Sequence, residues 1–242
     1  MAGNIRIALC DDSSAWLEAE KHLLEEYAQD SKVTLQVCSF LSGDELLSRD
    51  DWIPDALFSD IELGAGKSGI DLVHAVNDEW PLCQIVYVTN FKHYAPEVCA
   101  TKHLWYVLKD EYERRLPEVM YKLLLQLDEM NAELTLETID NESVSIVCRD
   151  IVSIERLENA TAIRMVTGGH PIVPDKLTAV LKRLPNTMFA RCHGSHAVNL
   201  AHVRHIGDKV LTMDDASTIP LGRRYSESLR TGYLGWADLH AV

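Results

Sequence analysis

The first half of the chain is constrained most by a recurring unit: a short, largely apolar run that ends in a polar residue and is followed by an amphipathic stretch. The runs are Ile5–Cys10, Val33–Cys38, Asp55–Ser59, Ile85–Thr89 and Leu104–Leu108. Runs this short, bounded by turn formers such as Pro54 and the Gly64/Gly66/Gly69 segment, read as strands buried on both faces. Strands of that kind belong to parallel sheets covered by helices. Helices are expected near 14–29, through Leu46-Leu47, over 70–76, near 94–102 and over 116–131, which together make a doubly wound α/β unit. Pro117 then has to fall in the first turn of the last helix, where its missing N–H has no partner to lose.

In an open parallel sheet, ligands collect at the carboxyl ends of the strands. Here those ends carry Asp11-Asp12 after the first run, Asp60 after the third, Thr89 closing the fourth and Lys109 after the fifth. Three carboxylates at one rim repel each other and are driven toward protonation. A divalent cation removes that penalty, and an oxygen-only ligand set that leaves waters in place suits Mg²⁺. Lys109 adds a point charge for an incoming anion, and Thr89 a hydroxyl. The constellation fits phosphoryl transfer to a carboxylate, with Asp60 as the nucleophile.

The length of 242 residues points to two domains. With 47% apolar and 25% charged residues, the composition is that of a soluble globular protein. No window approaches a membrane span, and the N-terminus lacks a signal-peptide pattern, so a cytoplasmic protein without membrane contact is expected. Six scattered cysteines read as reduced thiols. The net charge of −14 lies wholly within residues 1–133, and the remainder is neutral. Any polyanion surface on the second half is therefore a local patch. From about Glu133 the pattern changes to short β-type segments broken at Asp140-Asn141, Glu158-Asn159 and Gly168-Gly169. A helix capped by Asp175 and a final helix over 224–230 complete this part. It reads as mostly antiparallel β structure, which divides the chain into domains 1–131 and 132–242.

With Asp11, Asp12, Asp60, Thr89 and Lys109 in this order, residues 4–131 resemble a bacterial response-regulator receiver domain. The resemblance implies a flavodoxin-like sheet ordered 2-1-3-4-5 and phosphorylation of Asp60 by a cognate sensor histidine kinase. It implies Mg²⁺ held by Asp12, Asp60 and the main-chain carbonyl of Glu62, with Asp11 assisting. Thr89 and Tyr106 would form the switch pair that reports the phosphoryl group. Such a domain is no enzyme in the usual sense: it is a phosphoacceptor that assists its own Mg²⁺-dependent phosphotransfer and dephosphorylation. Two departures stand out. Asp110 occupies the place of a customary cis proline, and a cis bond without proline costs about 3 kcal/mol, so a trans bond and an altered reach for Lys109 are expected. The loop from Gly64 to Gly69 is one residue longer than the commonest form.

Residues 136–231 resemble the LytTR DNA-binding domain through Asp150–Glu155, Phe189–Ser195, Ala197–Asn199 and Ile219–Tyr225. A receiver followed by LytTR implies a transcription regulator that binds paired direct repeats in double-stranded DNA as a homodimer when phosphorylated. The family reads DNA from loops between strands. Arg223 and Arg224 offer planar forks for guanine edges or phosphates. His193 and Ser195 alternate onto one face of an extended segment, and Asn159 and Thr161 fall in another contact region of the family. Arg191 is expected to pair with Glu155, Asn199 to hold a turn, and His196 to sit in the core where Tyr or Phe is usual. Gly194 stands where Arg or Asn is common, which removes one contact. A reading of a different class is a phosphorylation-dependent protein-interaction adaptor without DNA binding. Salt-dependent retention on DNA separates the two.

Overall fold

The structure, a computed structural model, describes residues 4–49, 51–64, 68–90, 98 and 101–239. These residues fall into two compact units, the first made of the chain up to Gln126 together with the residues from Ala237 onward, and the second running Leu127–Trp236. In the first, β1 (Ile5–Cys10), β2 (Leu35–Phe40), β3 (Ala56–Ser59), β4 (Gln84–Thr89) and β5 (Trp105–Leu108) form one parallel sheet ordered β2-β1-β3-β4-β5. This is the receiver order. Both β3 and β4 are buried along their whole length, as runs covered on two faces should be.

Four helices are described in connection with this sheet: α1 (Ser14–Ser31), α2 (Gly43–Leu47), α3 (Gly69–Glu79) and α4 (Tyr112–Met130). The helix expected near 94–102 lies, apart from Val98, Thr101 and Lys102, outside the described residues. One core layer joins Ala8, Leu57, Ile85 and Tyr87 of the sheet to Leu72, Val73 and Val76 of α3. Helix starts are set locally. Ser13 accepts a hydrogen bond from the Trp16 amide at 3.3 Å, and Ser68 from the Ile70 amide at 3.1 Å.

Two elements differ from the sequence reading. Strand β2 begins two residues later than expected, because Val33 still closes the α1 terminus by donating to the Ala28 carbonyl at 3.0 Å. The last helix of this unit begins at Tyr112, so Pro117 lies inside α4 and not in its first turn. Pro117 is exposed, as is Glu113 four residues before it, so the carbonyl that loses its N–H partner faces water. Burial of Tyr112 and Leu116 on the opposite face extends the helix backward past the proline.

The second unit is antiparallel throughout. A hairpin of β6 (Glu133–Glu137) and β7 (Ser143–Val147) precedes a five-stranded sheet. That sheet is ordered β10-β9-β8-β12-β11, from β8 (Ile151–Arg156), β9 (Thr161–Met165), β10 (Ile172–Val173), β11 (Phe189–Arg191) and β12 (His196–Asn199). A smaller sheet follows from β13 (Val203–Ile206), β14 (Val210–Met213) and β15 (Thr218–Pro220). The short α5 (Leu177–Leu181) is not capped by Asp175; Lys176 takes the cap position without a side-chain bond. The Asp175 carbonyl instead accepts from the Thr161 hydroxyl at 2.7 Å. Helix α6 (Arg223–Leu239) runs well past the expected end at 230. Leu229 and Trp236, both buried, lie on one helical face through Gly232 and Gly235 and hold it. Among the described residues no helix is long and apolar enough to cross a membrane.

Candidate functional site

At the carboxyl end of the parallel sheet, β1 delivers Asp11, β3 delivers Asp60, and the 3-10 turn after β5 delivers Lys109. Asp11 and Asp60 are buried. The Lys109 ammonium lies 2.7 Å from Asp60 Oδ2 and 2.5 Å from Asp11 Oδ2, the latter as an ion pair out of hydrogen-bond alignment. The other oxygen of Asp60, Oδ1, accepts from the Ile61 amide at 2.6 Å and the Glu62 amide at 3.3 Å. Asp11 Oδ1 accepts from the Ser13 amide at 2.9 Å. The Lys109–Asp110 bond is trans, and the ammonium reaches both acids from it.

Burial pushes the Asp11 carboxyl above its ordinary range, against the pull of Lys109. Burial also favours the neutral amine of Lys109, but its close contacts with the charges of Asp11 and Asp60 outweigh it, and its pKa is raised. The ammonium is thus held charged between two acids.

An open cleft of about 740 Å³ lies over this group, lined by Asp12, Trp16, Asp60, Glu62, Asn90 and Lys109 among others. Two glycines stand tight against the acids. A Cβ at Gly69 would fall 1.8 Å from the Asp60 carbonyl oxygen, and one at Gly64, whose φ is +65°, would fall 2.5 Å from Asp12 Oδ2. At Gly64 and Gly69 only glycine allows so close an approach to the acids. Thr89 is buried at the end of β4 in register with Leu108. Tyr106, two residues earlier on the same face of β5, is half-buried, and its ring lies 6.4 Å from that of Tyr87. Burial, then the charge of Asp60, raises the Tyr106 phenol.

Among the described residues no group of three or more His, Cys, Asp or Glu side chains is arranged as a ready metal cage. Lys109 takes the space between Asp11 and Asp60 and offsets one of their two negative charges. The donor set still fits Mg²⁺. Asp12 is exposed on the cleft, Asp11 Oδ2 is buried without an aligned donor, and every nearby donor is oxygen. Mg²⁺ keeps several waters and needs only one or two carboxylates from a protein.

In the second unit the β11–β12 loop meets the start of α6. The Gly222 amide donates to the Cys192 carbonyl at 2.8 Å, and the Arg156 amide to the Ser195 carbonyl at 2.7 Å. The loop that carries His193 and Ser195 is thereby tied to the segment just before the exposed Arg223 and Arg224, and exposed Asn159 lies on the β8–β9 turn. Arg191, expected to pair with Glu155, instead braces the loop by donating to the His193 and Gly194 carbonyls at 3.2 and 2.7 Å. Glu155 pairs with His196 at 3.4 Å, so His196 is a half-buried polar residue and not a core substitute. Its other ring nitrogen meets the Ser195 hydroxyl at 2.9 Å, which also meets His193 at 2.9 Å. Thr161, expected beside Asn159 at the surface, is fully buried and bonded to Asp175, so it anchors the turn. Asn199 holds the turn after β12, bonded to Ile151, Cys148 and Ala201.

Sequence reasoning missed Tyr225 and Trp16. The Tyr225 ring lies 4.8 Å from the Arg224 guanidinium and 5.8 Å from that of Arg191, and its hydroxyl accepts from Arg224 at 2.6 Å. That bond lowers the phenol pKa. Trp16 lies with its ring centroid 5.2 Å from the Lys109 ammonium. Helical spacing marked it only as a packing residue, although it stands four residues beyond Asp12.

A parallel sheet with an acid–lysine rim, joined to an antiparallel β module with an arginine-bearing loop face, defines a receiver fold coupled to an output domain. Comparison with known proteins gives the same class. Residues 141–233 match the LytTr DNA-binding domain family. The chain is similar to the sensory transduction protein LytT of Bacillus anthracis, at 23% identity over 245 residues covering 93% of this chain and 98% of that protein. It is similar to the transcriptional regulatory protein BtsR of Escherichia coli (strain K12), at 26% identity over 192 residues, covering 73% and 78%. Among solved structures, the response regulator TrrA of Thermotoga maritima in complex with Mg²⁺-BeF is similar at 24% identity, covering 49% of this chain and 98% of that one, with a TM-score of 0.42. Residues 141–233 thus carry the LytTr DNA-binding domain pattern, and the chain as a whole is similar to response regulators of two-component systems that pair a receiver with such a domain.

Proposed function

We propose that Asp60 accepts a phosphoryl group from a cognate sensor histidine kinase and that this controls binding of the LytTR module to DNA. One observation carries the reading: Asp60 stands at the carboxyl end of β3 with the Lys109 ammonium 2.7 Å from its Oδ2, and Asp11 and Asp12 share the same rim. Two backbone amides hold Oδ1, so Oδ2 is the attacking oxygen. It forms a bond to phosphorus as the bond to the phosphohistidine nitrogen breaks, and that nitrogen leaves with the electron pair. Lys109 shifts its contact from Oδ2 to a phosphoryl oxygen and balances the added charge. Asp11, Asp12, Asp60 and the Glu62 carbonyl would hold Mg²⁺, which supplies further countercharge when bound. The same groups assist hydrolysis of the acyl phosphate.

The added charge draws Thr89 and Tyr106 toward the site, and the β5 face changes in a way that favours a homodimer. Two LytTR modules then engage paired direct repeats in double-stranded DNA through Arg223, Arg224, His193, Ser195 and Asn159. Residues 1–131 serve as the receiver and 132–242 as the DNA-binding module, and the protein acts in the cytoplasm.

The test is to incubate the full chain with MgCl₂ and acetyl phosphate, then measure labelling by mass spectrometry and binding to DNA selected from a random pool. One phosphoryl group on Asp60, lost in Asp60→Asn, with tighter DNA binding is expected. Labelling with unchanged DNA affinity would favour the adaptor reading. No labelling at all rejects the phosphoacceptor role.

A further inference from the structure

Lys109 has a third neighbour besides its two acids. Its ammonium lies 5.2 Å from the centroid of the Trp16 ring, inside the range of a cation–π contact. Trp16 projects from the first turn of α1 and also lines the cleft. Its ring is fixed from behind. It meets Tyr112 edge-on at 5.8 Å and 74°, and Tyr112 meets Phe58 at 6.5 Å and 80°. Phe58 lies on β3 two residues before Asp60, and Tyr112 is fully buried at the start of α4. A stack of three rings therefore runs from the strand that carries the acceptor, through α4, to the residue beneath the ammonium.

The physical consequence concerns where the three N–H bonds of Lys109 can point. Between two carboxylates alone, the ammonium is drawn to the deeper acid, Asp11, which is the closer at 2.5 Å. An aromatic face attracts the cation without offering a lone-pair acceptor that fixes one N–H. It therefore holds the nitrogen in place while leaving its protons free to turn from Asp60 to a phosphoryl oxygen. An aliphatic residue would fill space against Tyr112 but lose the edge-on ring contact and provide none of this.

We propose that Trp16 is a positioning residue for Lys109, and that its ring face keeps the ammonium over Asp60 during phosphoryl transfer. The proposal rests on the phosphoacceptor reading for its effect on rate, but the position of Lys109 can be measured separately. In the full-length protein, the Lys109 Cε methylene should show an upfield ring-current shift by NMR that survives in Trp16→Phe and vanishes in Trp16→Leu. With acetyl phosphate and MgCl₂, the maximal labelling rate of Trp16→Leu should fall about 3- to 30-fold, with little change in the half-saturating donor concentration. Trp16→Phe should retain most of the rate. In a Lys109→Ala background the Trp16→Leu change should add no further loss, since the interaction is already gone. Thermal unfolding of each variant separates misfolding from mispositioning. A Lys109 shift unaltered by Trp16→Leu, or a Trp16→Leu loss as large in the Lys109→Ala background as in the parent, overturns the proposal. Absence of labelling in the parent protein with the ring-current shift intact rejects the phosphoacceptor reading and leaves the Trp16–Lys109 contact standing.

Discussion

Glu20 is a carboxyl group almost wholly removed from water, on α1 one turn beyond Trp16. Burial pushes its pKa up to about 8 from 4.5. Between those two values the folded chain keeps a proton that the unfolded chain has lost, so stability falls as pH rises through the window. A shift of this size corresponds to at most roughly 5 kcal/mol. Glu20→Gln removes the proton step, so its stability relative to the parent should improve steadily from pH 5 to 8 and then level off. Urea unfolding at a series of pH values measures the gap, and a pH-independent gap refutes it. At Gly69 the argument is steric. A methyl group placed 1.8 Å from the Asp60 carbonyl must displace the loop, so Gly69→Ala should cost at least about 2 kcal/mol in urea unfolding and slow labelling of Asp60. Arg224→Ala should weaken DNA binding about 10- to 100-fold while leaving Asp60 labelling intact; unchanged affinity in a gel-shift titration removes Arg224 from the interface. The acids, Lys109 and both arginines stand out in the sequence because their chemistry is in their side chains. Trp16 and Tyr225 do not, because an aromatic residue at helical spacing looks the same whether it packs against a core or beneath a cation.

The elements of the receiver half were readable from apolar runs because β3 and β4 are buried on both faces and tolerate little else. Their ends were less so. Strand β2 has a half-exposed pattern, and its true start is set by the α1 terminus and the pairing of Ile5 with Leu35. Helix α4 shows the opposite failure: local propensity placed its start after Tyr112, but burial of Tyr112 and Leu116 overrode Pro117. A proline in a helix interior costs about 3 kcal/mol relative to alanine. Part of that is relieved here by solvent at the freed carbonyl, so Pro117→Ala should stabilise the protein by about 1–3 kcal/mol. A lowered melting temperature would mean that the proline is accommodated without strain. Helix α6 was read too short because Gly232 and Gly235 resemble a stop, whereas the buried Leu229–Trp236 face continues past them.

For the molecule as a whole, the division of charge is the organising quantity: residues 1–133 carry all of the net −14 and the remainder is neutral. On the proposed reading, the DNA face therefore works through a local group of arginines. With Arg223 and Arg224 as the arginines of that face, affinity per bound module should fall with a log–log salt slope of about −2. Fluorescence anisotropy across a salt series checks this, and a slope near zero contradicts the assignment. Chelating divalent cations should abolish labelling by acetyl phosphate, and added Mg²⁺ should restore it; labelling that persists in chelator removes the metal from the site. By itself the sequence determined the two-part architecture, the parallel sheet and the identity of the acids and the lysine, since periodicity of burial and side-chain chemistry are local properties. Only the tertiary structure decided that Lys109 sits between Asp11 and Asp60 on the face of Trp16, and that Thr161 is walled in while Arg191 braces the loop. Those facts depend on which residues far apart in the chain share a few ångströms of space, and that is settled by packing.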